Sequence, residues 1–224
     1  MTGQKEPVER MAKLLEYGKE YSGHNWYKFF DLWLEAILLS LKPCTTQEWQ
    51  EFLCRNWLEK SERAMTEAFT VLVQQAQQDN KDYLGPMYEL LAVNDKRYFG
   101  QFFTPWDVAL VMAQLNLGNL PEPDLYRAKP YTICDPCVGS GTLLLAMVEV
   151  IQKRDPIGFS LGHYQFYGQD KDGTCVSMAK INLRLHNLNR PFVRFSELSE
   201  SQQLLTLMLQ AGYSLGKSLP PTAA

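Results

Sequence analysis

The residues best suited to chemistry lie in one stretch, 131–141, which reads Tyr-Thr-Ile-Cys-Asp-Pro-Cys-Val-Gly-Ser-Gly. A β-forming run, Tyr131–Cys134, meets the carboxylate of Asp135, and Pro136 has no amide hydrogen with which to continue a central strand. Gly139 and Gly141 permit backbone angles and a close ligand approach that a β-carbon would forbid. Residues 142–151 then read as a buried apolar helix, and backbone amides at the start of a helix favour an anion. Strand, acidic turn, Gly-x-Gly and helix together form a cofactor loop of an open α/β sheet, with the ligand at the strand's carboxyl end. Asp170 closes a second strand pattern, Tyr167-Gly168-Gln169-Asp170, where a carboxylate can accept both hydroxyls of a ribose. A nicotinamide dinucleotide is the rival ligand, but Leu144 stands where its third glycine belongs.

The flanks narrow the chemistry. Upstream lies Gly100-Gln101-Phe102-Phe103-Thr104-Pro105, and downstream a helix pattern runs from Gly173 to His186. With 135–142 and 168–170, this set resembles the modification subunit of type I restriction systems and the wider adenine-N6 DNA methylase family. The resemblance runs from about Asp82 to about Leu198 and includes Leu84-Gly85-Pro86-Met87-Tyr88-Glu89, similar to the family's Leu-Gly-x-x-Tyr-Glu helix. It implies an α/β fold: a Rossmann-like S-adenosylmethionine-dependent methyltransferase core, here a partial parallel sheet of about three strands, preceded by helices. It implies that Gln101, Phe102, Phe103, Thr104, Pro105, Asp135, Pro136, Gly139, Ser140, Gly141, Thr142 and Asp170 hold S-adenosylmethionine. The Gly139–Gly141 amides would face the methionine carboxylate, with Asp135 ordering the loop or reaching the ammonium through water. The segment from Gln101 to Pro105 would fold over the methionine end. DNA is the implied substrate.

Two departures from the family pattern matter. Where the family ends its next strand in Gly-Asp, with the Asp on the cofactor's adenine amine, this chain has Ser196 beside Glu197. The family's Asn/Asp-Pro-Pro-aromatic element accepts the target amine's hydrogens and stacks on the flipped base. Here the one Pro-Pro is Leu219-Pro220-Pro221-Thr222, and neither Leu219 nor Thr222 can do either task. The expectation is a truncated member without the catalytic tetrapeptide, whose catalytic residues are unknown.

The elements that must position these residues follow from periodicity. Residues 1–94 read as helices, with Trp26, Phe29, Phe30, Trp33, Leu34, Ile37, Leu38 and Leu41 forming a bundle-core stripe. Thr45 to Glu48 spells a capping box opening a helix with Trp49, Phe52, Leu53 and Trp57 inward. The resemblance implies that residues 95–212 are a partial cofactor-binding domain. Thr104 caps a helix there, Pro105 takes its first position, and Val108, Val111, Met112 and Leu115 face inward. The order is then strand 131–135, helix 141–153, strand 164–168, helix 173–187, a short strand Phe192–Phe195 and helix 199–210, with 213–224 a tail. A sheet built only on this side leaves Tyr131–Cys134 as an edge, so a protein partner or a second copy is expected to complete it.

Composition bounds the rest. The chain has 224 residues, is 46% hydrophobic and 21% charged, and carries net charge −3. It is globular, and without an evident basic patch it is ill suited to grip DNA alone. Its five cysteines are odd in number and irregularly spaced, which fits reduced thiols; Cys134 and Cys137 read as small side chains and no metal is expected. No long apolar run or signal-peptide core occurs, so no membrane contact and a cytoplasmic location are expected. Three readings stay open: a methyltransferase completed by another chain, a non-catalytic cofactor-binding or assembly subunit, and a degenerate module that binds protein and no cofactor.

Overall fold

A computed structural model describes residues 2–92, 102–117 and 129–186. Five helices come first: α1 (Thr2–Ser22), α2 (Trp26–Ser40), α3 (Thr46–Arg55), α4 (Glu62–Ala76) and α5 (Leu84–Ala92). Their starts are set by local hydrogen bonds. Asn25 Oδ1 accepts from Lys28 N at 3.0 Å, and the predicted capping box is formed, with Glu48 N on Thr45 Oγ1 and Thr45 N on Glu48 Oε2. Phe29, Phe30, Trp33, Leu34 and Ile37 are buried against Met11, Leu15, Met65 and Leu72, so the aromatic stripe is a bundle core. Trp33 Nε1 donates to Met65 O at 3.0 Å, leaving the largest buried ring with no unmet donor. Trp57 departs from expectation: α3 ends before it, its φ is +58, and it is exposed rather than inward.

The α/β part comprises α6 (Trp106–Leu117), β1 (Tyr131–Asp135), α7 (Thr142–Arg154), α8 (Pro156–Ser160), β2 (Tyr164–Gly168) and α9 (Gly173–Leu185). β1 and β2 pair in parallel, in register from Tyr131–Tyr164 to Asp135–Gly168. These are the two strands among the described residues. The expected third strand at Phe192–Phe195, helix 199–210, the tail, Gln101, Ser196 and Leu219–Thr222 all lie outside them. The short α8 was not anticipated; Asp155 caps it by accepting from Gly158 N, with Pro156 at its start.

The inward face of α6 differs from expectation. Ala109, Ala113 and Leu117 are buried, while Val108, Val111, Met112 and Leu115 are 50%, 54%, 42% and 73% exposed. The helix also starts one residue later, at Trp106, with Pro105 O accepting from Ala109 N. Ala109 and Ala113 form a core cluster with Ala146 of α7, and small side chains let two helices approach closely where branched ones could not. α9 then joins the two halves. Its Cys175, Met178 and Ile181 belong to the bundle core, while Ala179 and Leu183 pack with Val138, Leu144 and Phe166 around the sheet.

Candidate functional site

β1 delivers Asp135 into the turn at the sheet's carboxyl end. Its carbonyl accepts from Gln169 N at 2.9 Å and its Oδ1 from Cys137 N at 3.0 Å. Its Oδ2 is buried and has no hydrogen-bond partner. The loop then uses both glycines as left-handed residues, Gly139 at φ +52 and Gly141 at φ +94. Gly141 caps α7 with no side-chain bond, and no acidic residue stands in the first turn. Neither its cap nor its first turn therefore offers the first amides of α7 the side-chain acceptor that usually serves a helix start.

The second strand end locks onto this loop. Val138 N donates to Gln169 O at 2.8 Å, and Gly139 N donates to Asp170 Oδ2 at 3.0 Å. The other Asp170 oxygen accepts from Asp172 N, and Asp172 caps α9 through Thr174 N. Gly168 is required here, since a β-carbon on it would stand 2.7 Å from Val138 Cγ2.

Phe103 brings the upstream motif to the same place. Its amide donates to Glu89 Oε1 at 2.7 Å, its ring meets Tyr88 edge-on at 5.9 Å, and a β-carbon on Gly139 would lie 3.2 Å from its Cδ1. Burial raises the Tyr88 hydroxyl well above the usual tyrosine range, so it stays a neutral packing group. Phe102 is 84% exposed, Pro105 is exposed and Thr104 half-buried. Thus Phe103 and Asp170 both meet the loop at Gly139, Asp135 and Gly141 belong to the same loop, and Phe102 and Pro105 are exposed. Burial likewise pushes the Cys175 thiol up to about 12, making it inert. No group of three or more His, Cys, Asp or Glu among the described residues is placed to hold a metal.

Ser140 and Thr142 sit differently from an exposed binding loop. Both are buried, and their hydroxyls donate to Asp82 Oδ2, Thr142 at 2.7 Å. Asp82 Oδ1 accepts from Leu84 N and Gly85 N at 3.0 Å, capping α5, and from Asn182 Nδ2 at 2.7 Å. Sequence reasoning missed Asp82. Its local signal was an acidic residue just before Leu84-Gly85 at a helix start; its long-range partners had no signal at all.

The arrangement is an acidic strand end, a glycine loop opening a helix whose cap, Gly141, has no side-chain bond, and a second carboxylate at the neighbouring strand. A model of the N-6 DNA methylase family matches residues 79–203, more than half of the chain, and the chain belongs to that family. It is 30% identical over 135 residues to the type I restriction enzyme MpnII methylase subunit of Mycoplasma pneumoniae. That match covers 58% of this chain and 23% of the relative, so the chain spans about a quarter of that protein's length. No solved structure matches the chain.

Proposed function

We propose that this chain is the S-adenosylmethionine-binding part of an adenine-N6 DNA methyltransferase, with residues 1–94 as a helical region and 95–212 as a partial Rossmann-like cofactor domain. The observation that carries this reading is the buried, unpartnered Asp135 Oδ2 in the loop that leads to the start of α7, where the cap, Gly141, makes no side-chain bond. A carboxylate oxygen without a donor and a helix start whose cap and first turn supply no side-chain acceptor suit the ammonium and carboxylate of one amino-acid ligand. S-adenosylmethionine, when bound, supplies the methyl group. Asp135 would take the ammonium side and the amides from Gly139 to Thr142 the carboxylate. Asp170, already turned to Gly139 N, would take the ribose, and Phe102 to Pro105, with Gln101, would border the methionine end. The Ser140 and Thr142 side chains would shape the loop from behind.

Catalysis would need a second polypeptide segment. The Leu219–Thr222 sequence offers neither the acceptor nor the aromatic that adenine methylation requires. β1 has one strand neighbour among the described residues, and the nearby α6 leaves Val108, Val111, Met112 and Leu115 exposed. A strand edge with no neighbour among the described residues and an apolar helix face together fit a partner, or a second copy, that extends the sheet. DNA would be gripped by that assembly rather than by this net-negative chain. No helix among the described residues is long and apolar enough to cross a membrane, and the reading places the protein in the cytoplasm.

Photo-crosslinking with methyl-labelled S-adenosylmethionine tests the site. Label is expected in peptides spanning 102–105, 135–142 and 168–170, with no methyl transfer to DNA by the purified chain alone. Label confined to other peptides, or methylated adenine from the lone chain, contradicts the reading.

A further inference from the structure

Five hydrogen-bond donors from three separate parts of the chain converge on the buried carboxylate of Asp82. Two are backbone amides at the start of α5, from Leu84 and Gly85. Two are the hydroxyls of Ser140 and Thr142 in the glycine loop, and the fifth is Asn182 Nδ2 of α9. The same Asn182 nitrogen also donates to Ser140 O at 2.8 Å. An acceptor-only group with about four lone-pair sites is the one side chain suited to such a cluster. Asp82 is 2% exposed, so none of these bonds is shared with bulk water.

We infer that Asp82 is a positioning residue for the cofactor loop, through which the N-terminal helical bundle sets the conformation of Gly139–Thr142 and hence the affinity for ligand. The geometry has two further supports. Gly85 has no room for a side chain: a β-carbon there would stand 2.6 Å from Ser140 Oγ and 3.1 Å from Phe103 Cγ, and it would also meet Asp82 Oδ2. The bundle is therefore pressed directly against the loop. The loop is also pinned by two carboxylates from separate parts of the chain, with Asp82 holding Ser140 and Thr142 and Asp170 holding Gly139 N. With Gly139 and Gly141 both in the left-handed region, the segment has little rigidity of its own and depends on these two carboxylates. Supporting groups of this kind fix the residues that touch ligand.

The ligand part of this inference rests on the proposed cofactor site; the loop part does not. The test uses the whole chain with Asp82→Asn, which removes one acceptor oxygen and adds two donors to a cluster already rich in donors. A second variant, Ser140→Ala with Thr142→Val, removes the loop's donors and spares the α5 cap. Site-resolved hydrogen exchange should show amides 139–144 opening at least about tenfold faster in both variants, with α1 and α4 unchanged. S-adenosylmethionine affinity, measured well below the melting temperature, should fall about tenfold in both. Combining the two sets should cost less than their sum, because the removed donors no longer need the lost acceptor. Unchanged loop exchange in a folded Asp82→Asn protein overturns the inference, as does unchanged affinity. If the unaltered chain binds no S-adenosylmethionine, the proposed function falls, and loop exchange alone decides the role of Asp82.

Discussion

Gly168→Ala tests how the two strand ends are locked together. The Gly168 backbone lies outside the left-handed region, so alanine is conformationally allowed and by itself would stabilise by about 0.4–1 kcal/mol through the unfolded chain. The added methyl, however, meets Val138 at 2.7 Å from Cγ2, 3.0 Å from Cβ and 3.2 Å from Cγ1. Val138 is 5% exposed and its amide is tied to Gln169 O, so a branched side chain close to fixed backbone must move. Overpacking of this kind costs about 1–3 kcal/mol, and a chain of this size loses about 2–4 °C of melting temperature for each kcal/mol. Val138→Ala alone removes two buried methyl carbons and should cost roughly 1.5–2.5 kcal/mol. The double variant is the decisive one, since Val138→Ala removes both Cγ contacts with the methyl on residue 168 and leaves only the 3.0 Å approach to its Cβ. Denaturant unfolding of all four proteins should find that Gly168→Ala costs less on the Val138→Ala background than on the unaltered chain. Additive losses would show that Gly168 and Val138 are not in the contact described, and the account of the loop lock would be wrong.

Two further outcomes follow from the same geometry. Tyr131 N donates to His163 O at 2.8 Å, so alternation along β1 turns the Thr132 and Cys134 amides away from β2; in the isolated monomer these two should exchange fast and Tyr131 and Ile133 slowly, and slow exchange at all four would mean that the chain closes its own edge. Burial pushes the His186 imidazole down to about 4, so the unfolded chain takes the proton first and stability falls as the pH drops from about 6.5 towards 4; denaturation of the unaltered protein against His186→Gln should differ by up to about 3 kcal/mol across that window, and parallel pH profiles would refute it.

What the sequence revealed depended on whether a residue's role was local. Pro136, Gly139 and Gly141 punctuate the chain sharply, so β1 and α7 were read nearly to the residue, as were β2 and α9. The Thr45–Glu48 box is likewise local and was legible. The face of α6 was not, because Trp-Asp-Val-Ala-Leu-Val-Met-Ala-Gln-Leu is apolar almost all round; the close contact of Ala109 and Ala113 with α7 chose the buried side, not the bulk of its neighbours. In the site, the motif residues Phe103, Asp135, Gly139 and Asp170 are brought together, and the family match over 79–203 spans nearly the segment read from the motifs. Asp82 was invisible because most of its partners lie at least 58 residues away in sequence. No spacing rule reaches that far.

The central claim is that this chain holds S-adenosylmethionine at the Gly139 loop, and titration calorimetry on the purified protein tests it most directly. A saturable heat of binding is expected, with Asp170→Ala weakening the affinity more than about tenfold through the loss of charge-assisted hydrogen bonds. No heat and no thermal shift at millimolar cofactor would contradict the claim.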